Sequence, residues 1–226
     1  MGIEIHMNVK LLGYTSSPEK LPAMAAILTH SKIKPENLEK TPKKEHSAVL
    51  EQVLKLGHTS VIEHASFTFA ISDVSRSLTH QLVRHRIASY SQQSQRYVNL
   101  NEPNYVTPPS IGKNMRTKKA YEETMGVIWA HYNKLLGLKI PAEDARYVLP
   151  NATCTNIMVT MNARSLLNFF ELRCCLHAQW EIRMLANKML KEVKKVAPLI
   201  FRNVGPSCKT KQICPEKKKN CPLYPK

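Results

Sequence analysis

Long apolar runs are missing from this chain. Nothing in its 226 residues approaches the roughly 20 apolar residues that cross a bilayer, so no membrane partner is expected. The N-terminus, Met1-Gly2-Ile3-Glu4-Ile5-His6, lacks a basic stretch followed by an apolar one, so no secretory signal is legible. Aromatic residues make up only 7% and glycines number seven. No Gly-x-Gly-x-x-Gly occurs, so a dinucleotide-binding fold of that kind is not indicated. Acidic residues are scarce, 17 against 33 lysines and arginines, and the formal charge is +16. A field of that sign favours nucleic acid, phosphorylated ligands or acidic surfaces, without choosing among them. The six cysteines, Cys154, Cys174, Cys175, Cys208, Cys214 and Cys221, form no extracellular framework in a chain of this length. A reducing compartment, the cytoplasm, is expected.

What is present is pattern enough for one domain with a sizeable core. Ile3, Ile5, Met7, Val9 and Leu11 alternate with polar residues, as in a half-buried strand. Ser17-Pro18-Glu19 reads as a helix start, and Thr41-Pro42 as another, ending at Gly57. Ser60 and Glu63 have capping-box spacing. Phe67, Phe69 and Ile71 predict a second strand, and Asp73 a cap for the helix carrying Val74, Leu78 and Leu82. Continued helically, that element sets Gln81, Arg84 and His85 on neighbouring faces at its end. Residues 99–114 read as a loop. Tyr121, Met125, Ile128, Trp129, Tyr132 and Leu136 follow at helical spacing and are assigned to core or subunit contacts. Pro141 starts a helix reaching Leu149. Thr153, Thr155, Ile157, Val159 and Met161 alternate as a strand, and Asn162 is placed to cap a helix running on through Trp180 to Pro198. On it Arg164 and Asn168, and again Arg173 and His177, stand four apart.

The densest chemistry lies between Arg84 and Tyr97: three arginines, a histidine, three glutamines and three serines. Such groups resist burial without partners, and arginine forks match phosphate oxygens and stack on flat rings. The alternative is a solvated basic surface. His58, Glu63 and His64 form a second polar cluster, and Asn162 to His177 a third.

The order Arg84-His85-Arg86, seven residues, Ser94, then Gln95-Arg96-Tyr97, resembles the signature of the flavin-dependent thymidylate synthases. His58-Thr59-Ser60-Val61-Ile62-Glu63-His64, Ala145-Arg146-Tyr147-Val148-Leu149-Pro150 and Asn162 through Glu181 resemble the same family. The resemblance covers residues 1–203. It implies an α+β single domain with a mixed or antiparallel sheet and several helices, working as a homotetramer with shared sites. It implies conversion of dUMP to dTMP, with methylenetetrahydrofolate as carbon donor, FAD as hydride source and NADPH as reductant. FAD contacts would be His58, Ser60, Glu63, Arg84, His85, Arg86, Gln92, Asn162, Arg164, Asn168 and His177. The substrate would meet Gln81, Arg84, Gln92, Ser94, Gln95, Arg96, Arg146 and Arg173. Arg173 would face the uracil and Ser94 would position it, both at the reacting ring, with no cysteine nucleophile and no metal. On this reading Ser94, Gln95 and Arg96 follow a helix end, with Gln81 and Arg146 completing a phosphate cage.

Residues 204–226 form a basic, cysteine-containing tail that the resemblance does not explain. Three thiols could hold Zn²⁺ with a fourth ligand, but C-x₅-C-x₆-C fits no compact zinc motif, and a mobile tail with free thiols is the other reading. Two rival classes stand beside the enzyme: a basic nucleic-acid-binding protein, and a zinc protein organised by that tail. Neither accounts for the histidine and asparagine positions.

Overall fold

The computed structural model describes residues 7–225. β1 (Asn8–Tyr14) leads to α1 (Lys20–His30), and α2 (Lys43–Lys55) follows a 3-10 turn over Pro35–Lys40. A second 3-10 turn, Thr59–His64, enters β2 (Ser66–Ser75), which passes without a loop into α3 (Arg76–Leu82). Next come β3 (Ser89–Gln92), α4 (Pro109–Gly112), α5 (Met115–Gly137) and α6 (Ala142–Ala145). A 3-10 turn over Arg146–Val148 precedes β4 (Cys154–Asn162), which again runs directly into a helix, α7 (Ala163–Arg173). α8 (Trp180–Val196) and α9 (Ser207–Thr210) complete the chain.

The strands form one antiparallel sheet in the order β1-β2-β4-β3. Cross-strand bonds fix the register of β2 on β4. The Thr68 and Thr160 hydroxyls lie 2.9 Å apart, the Asp73 amide donates to Asn156 Oδ1 at 3.3 Å, and the Arg76 amide to the Thr153 carbonyl at 3.0 Å. Phe67, Phe69 and Ile71 of β2 and Ile157, Val159 and Met161 of β4 are buried. A one-residue slip would turn all of them to the other face, so the alternation itself specifies the pairing.

Contacts divide the chain into two compact units. The first is chiefly Ile71–Arg84 and Tyr90–Met158; the second is Val9–Ala70, His85–Ser89 and Val159–Lys226. In the first, the helical stripe of α5 is core: Met125, Trp129 and Tyr132 are buried. Tyr105 packs edge-on against Tyr121 at 5.6 Å, and the Trp129 indole donates to the Leu100 carbonyl at 2.9 Å. In the second unit, Phe67, Phe169, Phe170 and Phe201 form a chain of edge-to-face contacts 5.4–6.0 Å apart, a geometry that aromatic quadrupoles favour. α8 buries Ile182, Leu185, Ala186, Met189 and Val193 along one face.

Several local expectations are corrected. Ile3 and Ile5 lie outside the described residues; β1 begins at Asn8 and reaches Tyr14. Ser17-Pro18-Glu19 does not cap α1: Ser17 turns with φ 51°, and the Glu19 carboxylate accepts instead from the Leu199 and Ile200 amides at 2.5 and 3.2 Å. Asp73 is a left-handed residue inside β2 (φ 58°), and the cap of α3 is Ser75, whose hydroxyl accepts from the Leu78 amide at 3.0 Å. α3 stops at Leu82, whose carbonyl is taken by the Tyr90 hydroxyl at 2.8 Å, so Arg84 and His85 lie beyond the helix. A strand, β3, then precedes Ser94, so Ser94, Gln95 and Arg96 do not follow a helix end. The loop holds α4, and the helix after Pro141 is α-helical only to Ala145. The long final helix is two helices: α7 ends at Arg173, and Gln179 restarts the chain by accepting from the Glu181 and Ile182 amides. Arg173 and His177 therefore do not share a helix face. Asn162 caps α7, accepting from the Ser165 amide at 2.8 Å.

The Ser75 cap carries a prediction. Ser75→Ala should cost about 0.5–2 kcal/mol of stability in denaturant unfolding, while Ser75→Asp, which keeps an acceptor, should recover most of it. An unchanged midpoint for Ser75→Ala would contradict the capping role.

Candidate active site

In the second unit two separate sequence clusters meet at the start of α7. The Ala163 amide donates to the Ala65 carbonyl at 2.7 Å, joining the Thr59–His64 turn to the helix N-terminus. Arg164 Nη1 lies 2.5 Å from Glu63 Oε1. Glu63 thus closes no capping box with Ser60; its carboxylate is engaged across 101 residues of chain. Both partners are about half exposed, so the pair positions more than it stabilises, at about 0–1 kcal/mol. Ser60, Arg86, Asn168 and His177 are exposed, and their side chains make no hydrogen bond among the described residues. His58 is exposed too, but it lines a cavity of about 270 Å³ with residues of α1 and α2, including His30 and Glu45.

At the other end of α7, Arg173 Nε donates to His85 Nε2 at 3.0 Å. A guanidinium only donates, so this nitrogen carries no proton and His85 is neutral. Its ring meets Phe169 edge-on, with centroids 5.0 Å apart. Burial, and then the Arg173 charge, pull the His85 pKa from the ordinary 6.5 to about 4. The contact orients the guanidinium from a neutral neighbour, leaving its positive charge uncompensated by His85.

In the first unit the basic side chains gather around Glu143. Its carboxylate pairs with Arg96 Nε at 2.8 Å, and its carbonyl accepts from Arg146 Nε at 2.9 Å. The Arg96 guanidinium also lies over the Tyr97 ring, 5.4 Å from its centroid. Ser94 makes a tight turn: its hydroxyl oxygen accepts from the Arg96 amide at 3.1 Å, and its carbonyl from the Tyr97 and Val98 amides. Gln92 donates both amide hydrogens, to Thr79 and Thr155 hydroxyls at 3.1 and 3.2 Å, so its nitrogen serves the fold. Gln81, Arg84 and Gln95 make no side-chain hydrogen bond among the described residues.

Two residues of this group were missed in the sequence. Glu143 is the shared partner of Arg96 and Arg146. Arg76 is held by amide bonds from Arg76 and Ser77 to the carbonyls of Thr153 and Asn151, on the turn that follows Arg146–Val148. Its guanidinium is half-buried and meets no acceptor among the described residues. Burial, and then the Arg146 charge, lower its pKa. A second cation so placed is electrostatically unfavourable, and a nearby anion would relieve it. The signal was available: an arginine in the first turn of a helix opposes the macrodipole and invites a counter-anion.

The profile of the family described as thymidylate synthase complementing protein matches residues 10–199. A flavin-dependent thymidylate synthase of Clostridium tetani is 49% identical over 237 aligned positions, covering 97% of this chain and 95% of that protein. One of Geobacter sulfurreducens is 50% identical, covering 95% and 94%. Among solved structures, a UMP/dUMP methylase, PolB, from Streptomyces cacaoi, bound with 5-Br dUMP, superposes with a TM-score of 0.76. It covers 89% of this chain and 96% of that one, and at 22% identity the likeness shows the fold.

The His85 contact yields a pH prediction. By NMR, the His85 imidazole should titrate near 4, and in Arg173→Ala its midpoint should rise yet stay below 6.5, because burial is the larger cause. The unfolded chain binds this proton near 6.5 and the native protein only near 4. The His85 contribution to stability is therefore complete above 6.5 and is lost as pH falls toward 4. A wild-type midpoint near 6.5 would contradict the contact.

Proposed function

This chain belongs to the flavin-dependent thymidylate synthases, the thymidylate synthase complementing family, and from that premise we propose that it methylates dUMP to dTMP. Methylenetetrahydrofolate is the proposed carbon donor, FAD the cofactor and NADPH its reductant, in a homotetramer with sites shared between subunits. The observation that supports this most is the Arg173–His85 contact, which joins the Arg84–Ser94 motif to the α7 block 88 residues away.

The donors suit the cofactor. Ser60 on the turn joined to the α7 N-terminus, Arg164 and Asn168 on α7, Arg86 next to His85, and His177 after the end of α7 offer exposed polar groups, as an extended anionic and planar ligand requires. Glu63 is read as the residue that fixes Arg164. His58, on the α1–α2 cavity, is a weaker member of the set. Bound and reduced, FAD supplies the hydride that completes the methyl group.

For the substrate, Arg76, Arg96 and Arg146 are read as phosphate anchors, with Glu143 holding two of them in place. Gln81, Arg84, Gln92 and Gln95 complete the group through their remaining polar atoms. Arg173 is assigned the pyrimidine edge. A guanidinium there favours the N3-deprotonated ring and makes C5 a better nucleophile, with no covalent enzyme adduct. Ser94 is read as a positioner: its hydroxyl oxygen accepts from the Arg96 amide, and among the described residues its proton meets no hydrogen-bond acceptor. The Cys174 thiol is poorly suited to attack, because burial pushes it up to about 11.

Kinetics separate the roles. Arg96→Ala should mainly raise the KM for dUMP, whereas Arg173→Ala should lower kcat even at saturating dUMP. In FAD titrations Arg86→Ala should cost about 1.5–3 kcal/mol and Asn168→Ala about 0.5–1.5 kcal/mol. Full kcat in Arg173→Ala would reduce that residue to an anchor, and wild-type FAD affinity in both others would remove them from the flavin site.

A further inference from the structure

The tail lies beyond residues 10–199, the stretch matched by the family profile, yet it is not loose at its root. Ser207 Oγ donates to Glu171 Oε1 on α7 at 2.8 Å, and Lys211 Nζ reaches both oxygens of the same carboxylate at 2.8 Å. Burial pushes the Glu171 pKa up, but the Lys211 and Ser207 hydrogen bonds outweigh it and hold it below the ordinary value. Cys208 is buried beside this anchor. One carboxylate holds the start of the tail, and successive turns close through the Lys217 amide to the Cys214 carbonyl, Cys221 to Lys218 and Tyr224 to Cys221.

Those turns form one wall of a cavity of about 450 Å³ whose other wall is Leu176 and His177. Lys217, Lys218, Lys219 and Asn220 line it, and among the described residues no carboxylate does. Leu176, Pro222 and the lysine stems give it an apolar body, while three ammonium groups give it one sign of charge. Its volume is within the range of sites for small ligands. A merely solvated basic turn needs no such wall, and among the described residues no ion pair to Lys217, Lys218 or Lys219 occurs.

We propose that this cavity binds the phosphate groups of a dinucleotide, through Lys217, Lys218 and Lys219. The proposal rests on the reading of His177 as a flavin neighbour, which puts the cavity beside the cofactor. Two reaction ligands carry that chemistry, FAD itself and the pyridine dinucleotide that reduces it. Compact ammonium charges suit phosphate oxygens, and the apolar walls suit the rest of such a ligand.

The test compares the wild type, a Lys217→Gln/Lys218→Gln/Lys219→Gln variant and the matching triple Lys→Arg variant. FAD affinity is read by fluorescence quenching at two salt concentrations. NADPH affinity is read from the concentration dependence of flavin reduction in FAD-saturated protein. The glutamine variant should bind one of the two about tenfold more weakly at low salt, with a flatter salt dependence, the scale of three exposed charge contacts. The arginine variant should retain wild-type binding. Loss of FAD affinity assigns the cavity to the cofactor, and loss of NADPH affinity assigns it to the reductant; either supports the proposal. Affinities for both within twofold of wild type would overturn it, as would weakening confined to the folate, whose anions are carboxylates. In either case FAD binding by the wild type would leave the flavin reading standing. A wild type that takes up no FAD would overturn both.

Discussion

The antiparallel pairing of β2 with β4 is the constraint on which the rest depends. In the second unit it is held by Thr68 and Thr160, in the first by Asp73 and Asn156. Both strands pass into helices without a loop, and in each the last strand residue is the cap: Ser75 for α3, Asn162 for α7. Each cap is worth on the order of 1 kcal/mol, modest beside the buried aromatic core, but it fixes the residue at which the helix begins. Gln81 and Arg76 follow from one junction, Arg164, Asn168 and Arg173 from the other. The positions of these donors are consequences of strand register.

Charge is then distributed unevenly over that frame. Arg96, Arg164 and Arg202 have exposed carboxylate partners, pairs that orient side chains and contribute little to stability. Arg76 and Arg146 stand together, and Arg173 is held by a neutral histidine. The protein thus spends its few acids on fixing some arginines in place. Arg146 and Arg173 also donate to neutral atoms, the Glu143 carbonyl and the His85 ring. A chain with 33 basic and 17 acidic residues can do this only by tolerating local repulsion, which a bound anion relieves.

Much of this was legible in the sequence where period and chemistry agreed. Phe67-Thr68-Phe69 and Ile157 to Met161 alternate cleanly, and Asn162 stands where a cap should. The failures have local causes. Ser89-Tyr90-Ser91-Gln92 is too polar to read as a strand, yet it forms one, and the Gln92 amide ties two buried threonines. Asp73 and Ser75 are both good caps, and only cross-strand pairing decides that the strand runs on to Ser75. Periodicity across Cys174 to Gln179 suggested one helix, but Gln179 satisfies the amides of a new start. Glu143 escaped notice because its carboxylate partner, Arg96, is 47 residues away in sequence.

The central claim is that the hydride comes from reduced FAD on this chain, without a protein thiol adduct. The most direct measurement is a single turnover without pyridine nucleotide. FAD-loaded protein is reduced chemically, freed of excess reductant and mixed anaerobically with dUMP and methylenetetrahydrofolate. The account predicts dTMP in an amount matching the reduced FAD. dTMP formed by flavin-free protein, or none formed until a pyridine nucleotide is added, would contradict it.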